Sequence, residues 1–143
     1  MVRRQVLVSG AVGRVAGQLL PGLRERFDLR LMDRVPGPGE TGSPVLVGEL
    51  TDRQVLDEAV TGVDAVVHLA GNPDPEASWQ QLRGPNIEGF AALLAACRKR
   101  GVRRLVFASS VHAMGAYEGW RRWPIDPAWP PAPCCSYGHE GVR

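Results

Sequence analysis

Lysine is almost absent from this chain of 143 residues: Lys99 is the only lysine among 17 lysine and arginine side chains. The net charge is only +2, and no basic stretch is interleaved with aromatic residues, so the composition does not suggest a nucleic-acid partner. No apolar run approaches the length of a membrane-spanning helix, and no long apolar segment typical of a secretion signal follows the first residues. We therefore expect neither nucleic acid nor a membrane to be a partner.

Cysteine is scarce as well, with three residues, of which Cys134 and Cys135 are adjacent. This arrangement is not typical of a disulfide framework, and the cysteine spacing shows no metal-ligand pattern, so we expect no metal site. The simplest account is a reducing, cytoplasmic setting. The length suits one domain, residues 1–143, that can bury a real core.

A glycine-rich turn follows the first apolar run, and an acid ends the second. Gly10 and Gly13 frame the turn before a helix start, and Asp33 comes about twenty residues later. This pattern is typical of dinucleotide binding, because the glycines let the backbone approach the pyrophosphate and the helix N-terminus offers N–H groups to it. Asp33 can accept from ribose hydroxyls and would repel a 2′-phosphate, so NAD is favoured over NADP, a preference that Arg34 softens. The alternative is that the glycines serve only the turn itself.

Apolar runs typical of strands alternate with helix-like stretches, as expected for a parallel sheet with crossover helices. Strands are predicted at residues 5–9, 28–32, 45–47, 65–69 and 104–108, and helices at 13–26, about 52–60 and about 86–100. Right-handed crossovers predict the strand order 3-2-1-4-5, a Rossmann-type doubly wound α/β fold. The ligand should then lie at the carboxyl ends of the strands, facing Gly10, Gly71 and Ser110.

The helices and the last third of the chain carry further expectations. Pro21 inside the first helix predicts a bend or an early end, and the close helix–strand contact would rely on Ala16 or on the neighbouring Gly17.

His68, inside an apolar strand, is expected to be a satisfied core residue, and Asp52 is expected to cap the second helix. Residues 115–135 predict a loop in which Tyr117 and the tryptophans pack. The apolar sides of the two longest helices are predicted to be Val15, Leu19, Leu20 and Leu23, and Phe90, Leu93, Leu94 and Cys97.

Taken together, the motifs resemble an extended short-chain dehydrogenase/reductase, the superfamily of sugar epimerases, dehydratases and dehydrogenases. The matching segments run in order from residue 5 to about 117, and the most similar members are hexuronate dehydrogenases, which oxidise a uronic acid with NAD. The matching segments are Gly10-Ala11-Val12-Gly13, Asp33, Gly48-Glu49-Leu50-Thr51-Asp52, residues 63–71, Asn86-Ile87-Glu88-Gly89 and residues 106–117.

The resemblance implies a cofactor role for several positions. Arg14 and Val15 would offer backbone N–H groups to the pyrophosphate. Glu49 and Leu50 match an acidic–hydrophobic pair that touches the adenine. The backbone of Leu69, Ala70 and Gly71 would line the cofactor.

The resemblance also implies the reacting groups. Ser110 would hydrogen-bond the reacting oxygen, and Tyr137 would transfer the proton. Asn86 would brace the neighbouring strand beside the cofactor, and His112 would contact the substrate. Structural alternatives stand beside these roles: a serine that satisfies backbone groups, a helix-capping asparagine and a packing histidine.

The chain departs from this pattern after Tyr137. The superfamily places a lysine four residues after the tyrosine, where its ammonium favours the phenolate, but this sequence has Gly141. Lys99 precedes the fifth strand and is expected at the opposite end of the sheet. We expect the substrate-binding region of the superfamily to be absent and the sheet to be incomplete on its C-terminal side, as in a truncated or frame-shifted product of a dehydrogenase gene.

Three functional hypotheses follow. The first is an NAD-dependent oxidoreductase acting on a sugar or sugar acid, whose full-length relatives would be homo-oligomers, with a nucleotide-sugar epimerase or dehydratase as the alternative enzyme. The second is a catalytically silent NAD-binding module. The third is a non-functional fragment.

Overall fold

A parallel sheet of five strands lies at the centre of the computed structural model, which describes residues 3–37 and 44–140. The strands stand in the order β3-β2-β1-β4-β5, which confirms the predicted order. At the middle of β1, Val8 pairs with Leu31 of β2 and with Val67 of β4. The strands are β1 Gln5–Ser9, β2 Asp28–Asp33, β3 Val45–Val47, β4 Ala65–His68 and β5 Arg104–Phe107.

Helices cover both faces of the sheet, because successive strand side chains point to opposite sides. Leu7 and Val66 belong to one buried cluster, which includes residues of α2 and α4, whereas Val8 and Leu31 belong to a second, which includes residues of α1. Within the described residues, no helix is long and apolar enough to cross a bilayer. The helices are α1 Arg14–Arg26, α2 Arg53–Val60, α3 Trp79–Leu82, α4 Gly89–Arg100, α5 Ala116–Gly119 and α6 Ser136–Glu140, with a π-helical turn at Arg83–Glu88 and a 3₁₀ turn at Val111–Met114.

Helix α1 does not end early at Pro21, contrary to one of the predicted outcomes. Pro21 has no N–H group to donate to the carbonyl of Gly17, four residues earlier. Both residues lie on the solvent side of α1, so water can hydrate the Gly17 carbonyl instead. The predicted apolar side is also corrected: Val15 is 56% and Leu19 is 42% exposed. Ala16 and Leu20, four residues apart, form the buried contact instead, and Ala16 supplies the close approach to the sheet.

The predicted helix at 86–100 begins differently from expectation. A π-helical turn precedes α4, and Asn86 lies inside that turn rather than at a helix cap. Leu93 and Cys97 are buried as predicted, but Leu94 is exposed.

The aromatic residues after β5 form a small packed group. Tyr117 is buried, its hydroxyl donates to the Pro130 carbonyl at 2.9 Å, and its ring lies 5.0 Å from that of Trp129. The packing prediction is thus confirmed for Tyr117 and Trp129, whereas Trp123 is exposed. The segment is not entirely loop, because it contains α5.

Candidate functional site

The turn after β1 requires glycine at its first position. Gly10 has a φ of +75°, and a Cβ there would lie 2.6 Å from the backbone nitrogen of Ala70. The N–H groups of Gly10 and Ala11 both donate to the Met32 carbonyl, at 2.9 and 3.2 Å. The turn is therefore held between the carboxyl ends of β2 and β4, with its backbone at the edge of the sheet.

Helix α1 begins directly after this turn. Gly13 is its N-cap residue and carries no side chain over the end of the helix. No acidic residue lies in the first helical turn, whose N–H groups lack acceptors within the helix and carry the positive end of the helix dipole. Arg14 and Val15 are exposed at this end. The arrangement provides a site for an anion such as a pyrophosphate.

Asp33 shapes the glycine turn as well as placing a charge beside it. One carboxylate oxygen accepts from the Val12 N–H at 2.9 Å, and the other accepts from the Val35 N–H at 3.3 Å. An ionised carboxylate has further lone pairs and can still accept from a ribose hydroxyl. The bracing of Val12 was not foreseen from the sequence, because it depends on the exact path of the turn. Arg34 is exposed next to it.

A groove of about 740 Å³ runs along the carboxyl ends of the strands and joins these features. It brings together eleven predicted positions from four segments of the chain, and it adds Gln81, which the sequence did not single out. The predicted positions that line it are Gly10, Gly13, Arg14, Val15, Asp33, Arg34, Glu49, Leu50, Leu69, Ala70 and Gly71.

A second cavity, of about 430 Å³, adjoins the groove and shares residues 69–73 with it. Ser110, Tyr137 and Asn86 line this cavity, together with the apolar side chains of Phe90, Leu94 and Phe107. Groups predicted to act on a substrate thus lie beside the groove predicted to hold the cofactor.

Asn86 ties the loop after β4 to the π-helical turn. Its side-chain oxygen accepts from the Asn72 N–H at 2.6 Å, and its side-chain nitrogen donates to the Asn72 carbonyl at 3.0 Å. A Cβ on Gly71 would lie 3.0 Å from the Asn86 oxygen, so the pairing leaves little room for a side chain there.

Ser110 and Tyr137 line the second cavity, whereas His112, predicted to contact the substrate, packs against Tyr137 and is not among the residues that line it. The Ser110 hydroxyl accepts from the His112 N–H at 3.2 Å and caps the 3₁₀ turn. The His112 and Tyr137 rings meet edge to face, with centroids 5.7 Å apart. Nδ1 of His112 also lies 3.3 Å from Sγ of Cys134, a contact across 22 residues that the cysteine spacing did not indicate.

His68 is confirmed as a satisfied core residue. It is buried beneath the cavity, its Nδ1 lies 2.6 Å from the Ser9 hydroxyl, and its ring stacks on Phe90 at 5.1 Å. Burial lowers the pKa of His68 to about 4, so the ring is neutral at pH 7.

Comparison with known proteins identifies the family. The NAD dependent epimerase/dehydratase family matches residues 6–140, almost the whole chain. The chain belongs to this family.

The relatives that this chain matches include sugar and sugar-acid dehydrogenases. NAD-dependent glucose-6-phosphate dehydrogenase of Haloferax volcanii is 41% identical over 83% of this chain and 48% of its own length. Uronate dehydrogenase of Pseudomonas putida is 37% identical over 91% of this chain and 47% of its own length. The chain therefore spans about half the length of these relatives, and the predicted resemblance to uronate dehydrogenases is confirmed.

A solved structure supports the fold and the cofactor class. A short-chain dehydrogenase/reductase superfamily protein of Agrobacterium tumefaciens, solved with bound NAD, superposes with a TM-score of 0.81 at 33% identity. The match covers 97% of this chain and 42% of that protein.

The lysine expected of this family is not supplied by Lys99. Its Nζ lies 3.3 Å from the Asp57 carboxylate, which Arg100 also binds, at the end of α4 away from the groove. The hydrogen bond from Arg100 is the main cause that lowers the pKa of Asp57 to about 2. Gly141, at the position of the expected lysine, lies outside the described residues.

Proposed function

We propose that this chain binds NAD in the groove and provides the cofactor-binding part of an oxidoreductase that acts on a sugar acid of the hexuronate type. The proposal rests on one observation: the Gly10 turn, the N-terminus of α1 and Asp33 all line the same groove. Residues 1–143 would form one NAD-binding domain. The three free cysteines suit a reducing compartment such as the cytoplasm.

The residues of the groove fit a dinucleotide. The backbone around Gly10 can approach a pyrophosphate because a Cβ would already collide with Ala70, and the N–H groups of Arg14 and Val15 would donate to it. The Asp33 carboxylate would accept from the adenine-ribose hydroxyls, and Leu50 with Glu49 would contact the adenine. Arg34 is close enough in sequence to weaken the discrimination against a 2′-phosphate.

The residues that line the second cavity support the proposed roles of the reacting groups. NAD, when bound, accepts a hydride from the sugar carbon. Ser110 would donate to the oxygen on that carbon, and Tyr137 would take up its proton, since both line the cavity that adjoins the groove. The backbone of residues 69–71 would separate the two spaces, and Asn86 would hold that loop through Asn72. His112, whose ring packs against Tyr137, would contact the substrate.

A second candidate function is an NAD-binding module without turnover. The pairing of Lys99 with Asp57 favours it, because the only lysine of the chain is held away from Tyr137. Under this proposal the groove keeps its ligand and the second cavity does no chemistry. A nucleotide-sugar epimerase or dehydratase uses the same groove and is distinguished by its product.

The decisive experiment is a calorimetric titration of the chain with NAD and with NADP at equal salt. We expect tighter binding of NAD, because the Asp33 carboxylate repels a 2′-phosphate. Asp33→Asn should reduce the ratio of the NADP to the NAD dissociation constant by about tenfold, because it removes the charge. The amide oxygen of the variant can still accept from the Val12 N–H. Equal affinity of the unmodified chain for the two cofactors would contradict the role of Asp33.

The matched control is Asp52→Asn, which removes a carboxylate from the N-cap of α2 and should leave the preference unchanged. Incubation with NAD and galacturonate or glucuronate then separates the candidates. We expect NAD binding without NADH from this chain alone, because Lys99 is held away from Tyr137. Formation of NADH would instead show that the chain by itself carries out the oxidation, and it would exclude the silent module.

A further inference from the structure

His112, Cys134 and Cys135 form a compact group of potential metal ligands. Their donor atoms all lie within 4.8 Å of one another. Nδ1 of His112 is 3.3 Å from Sγ of Cys134 and 3.7 Å from Sγ of Cys135, and the two sulfur atoms are 3.9 Å apart. None of the roles proposed above involves either cysteine.

These separations match the edges of a tetrahedral zinc site. With Zn–S near 2.3 Å and Zn–N near 2.0 Å, a tetrahedron has S···S edges of about 3.8 Å and N···S edges of about 3.5 Å. The three observed separations lie within a few tenths of an ångström of these values, so one ion could reach all three atoms without a large movement of the chain.

The backbone holds the group in place. Segment 112–116 is tied to segment 132–134 by three hydrogen bonds: Ala132 N–H to the Ala113 carbonyl, Ala116 N–H to the Ala132 carbonyl, and Cys134 N–H to the His112 carbonyl. Gly115 leaves room for the sulfur of Cys134, because a Cβ there would lie 2.3 Å from it. The positions of the ligands are therefore set before any ion binds.

The chemistry of the donors selects the ion. Two thiolates and an imidazole suit zinc and other thiophilic cations, and they do not suit magnesium or calcium, which prefer oxygen ligands. A disulfide between the two cysteines is the competing use of these sulfurs. It is disfavoured because adjacent Cα atoms across a trans peptide lie about 3.8 Å apart, below the usual range for bridged cysteines.

We propose that His112, Cys134 and Cys135 bind a single thiophilic divalent cation, with zinc as the ion that suits them. Each thiol would release its proton on binding. Cys134 is exposed, so a water molecule can complete the coordination. The ion would fasten the 3₁₀ turn to the start of α6 beside Tyr137, and it would occupy Nδ1 of His112.

Cobalt(II) is the probe for this site. The untagged chain, reduced and freed of metal, is titrated with cobalt(II) under anaerobic conditions. We expect one equivalent to give thiolate-to-cobalt charge-transfer absorption and the intense visible bands of tetrahedral cobalt, both removed by one equivalent of zinc. Cys134→Ser and Cys135→Ser should each weaken binding by more than about 10-fold, and the double variant should abolish the charge-transfer band.

Two matched controls separate the cluster from other cysteines and histidines. Cys97→Ala removes the buried cysteine, and His139→Ala removes an exposed histidine of α6; both should bind cobalt as the unmodified chain does. His112→Ala should instead weaken binding.

A readout on the unmodified chain does not depend on how the variants fold. Zinc should slow the reaction of two thiols, Cys134 and Cys135, with a thiol reagent by at least about tenfold, as identified by peptide mapping. The proposal is overturned if zinc leaves their reactivity unchanged, if the charge-transfer band is absent, or if the double variant binds cobalt as tightly as the unmodified chain.

Discussion

His68 makes the stability of the fold depend on pH. Its pKa is lowered from 6.5 to about 4 by burial, so between these values the unfolded chain binds a proton that the folded chain does not. The contribution of His68 to the free energy of unfolding is therefore present above about pH 6.5, and it decreases as the pH falls from 6.5 to about 4. The shift corresponds to about 3 kcal/mol of unfolding free energy lost by pH 4.

Urea denaturation across that interval measures the effect, with His68→Gln as the comparison. The variant cannot titrate at this position, and both proteins share all carboxylates. The stability difference between the two should therefore shift in favour of the variant as the pH falls. A difference that stays constant with pH would show that His68 is not responsible.

Tyr137 is predicted to be nearly inert as a proton acceptor in this chain. The phenolate needs a neighbouring cation, and Lys99 is bound to Asp57 instead. We expect no measurable NADH from galacturonate or glucuronate, and no change on Tyr137→Phe, by absorbance under saturating NAD. Gly141→Lys alone should not restore turnover, because this chain spans only about half the length of its dehydrogenase relatives. NADH production that Tyr137→Phe abolishes would refute this prediction.

At the scale of the elements, Asp52 secures the start of α2 beside the groove. Its carboxylate accepts from the N–H groups of Gln54 and Val55 at 2.9 and 3.2 Å, as the sequence predicted. Asp52→Ala should cost about 1 kcal/mol of unfolding free energy, whereas Asp52→Asn, which can still accept, should cost only part of that. Urea midpoints at neutral pH measure both. Equal losses for the two variants would mean that the charge, and not the cap, matters.

Elements with a local signal could be predicted from the sequence, and those that depend on distant contacts could not. The strand order follows from apolar runs and crossover handedness, and Gly10 and Asp33 follow from a short motif. In contrast, the exposure of Val15 and Leu19 depends on how little of α1 the sheet covers. The meeting of His112 with Cys134, which follows it by 22 residues, depends on a connecting segment whose path has no periodic signal.

For the whole molecule, the exposed edge of the sheet predicts self-association. Within the described residues β5 pairs only with β4, and Val106, Phe107 and Leu94 are 62%, 40% and 43% exposed beside that edge. An unpaired strand edge with apolar neighbours is a template for association between chains. We also expect marginal stability, because this apolar surface remains uncovered.

Sedimentation velocity over a range of protein concentrations tests this expectation. The unmodified chain should sediment as a concentration-dependent mixture, and Val106→Lys should shift it toward the monomer, because a charge on an edge strand disfavours pairing with another chain. Leu19→Lys, at an exposed apolar position on α1, is the matched control and should leave association unchanged. If the unmodified chain is monomeric at every concentration and unfolds in one sharp transition typical of a stable domain, the edge of β5 does not drive association.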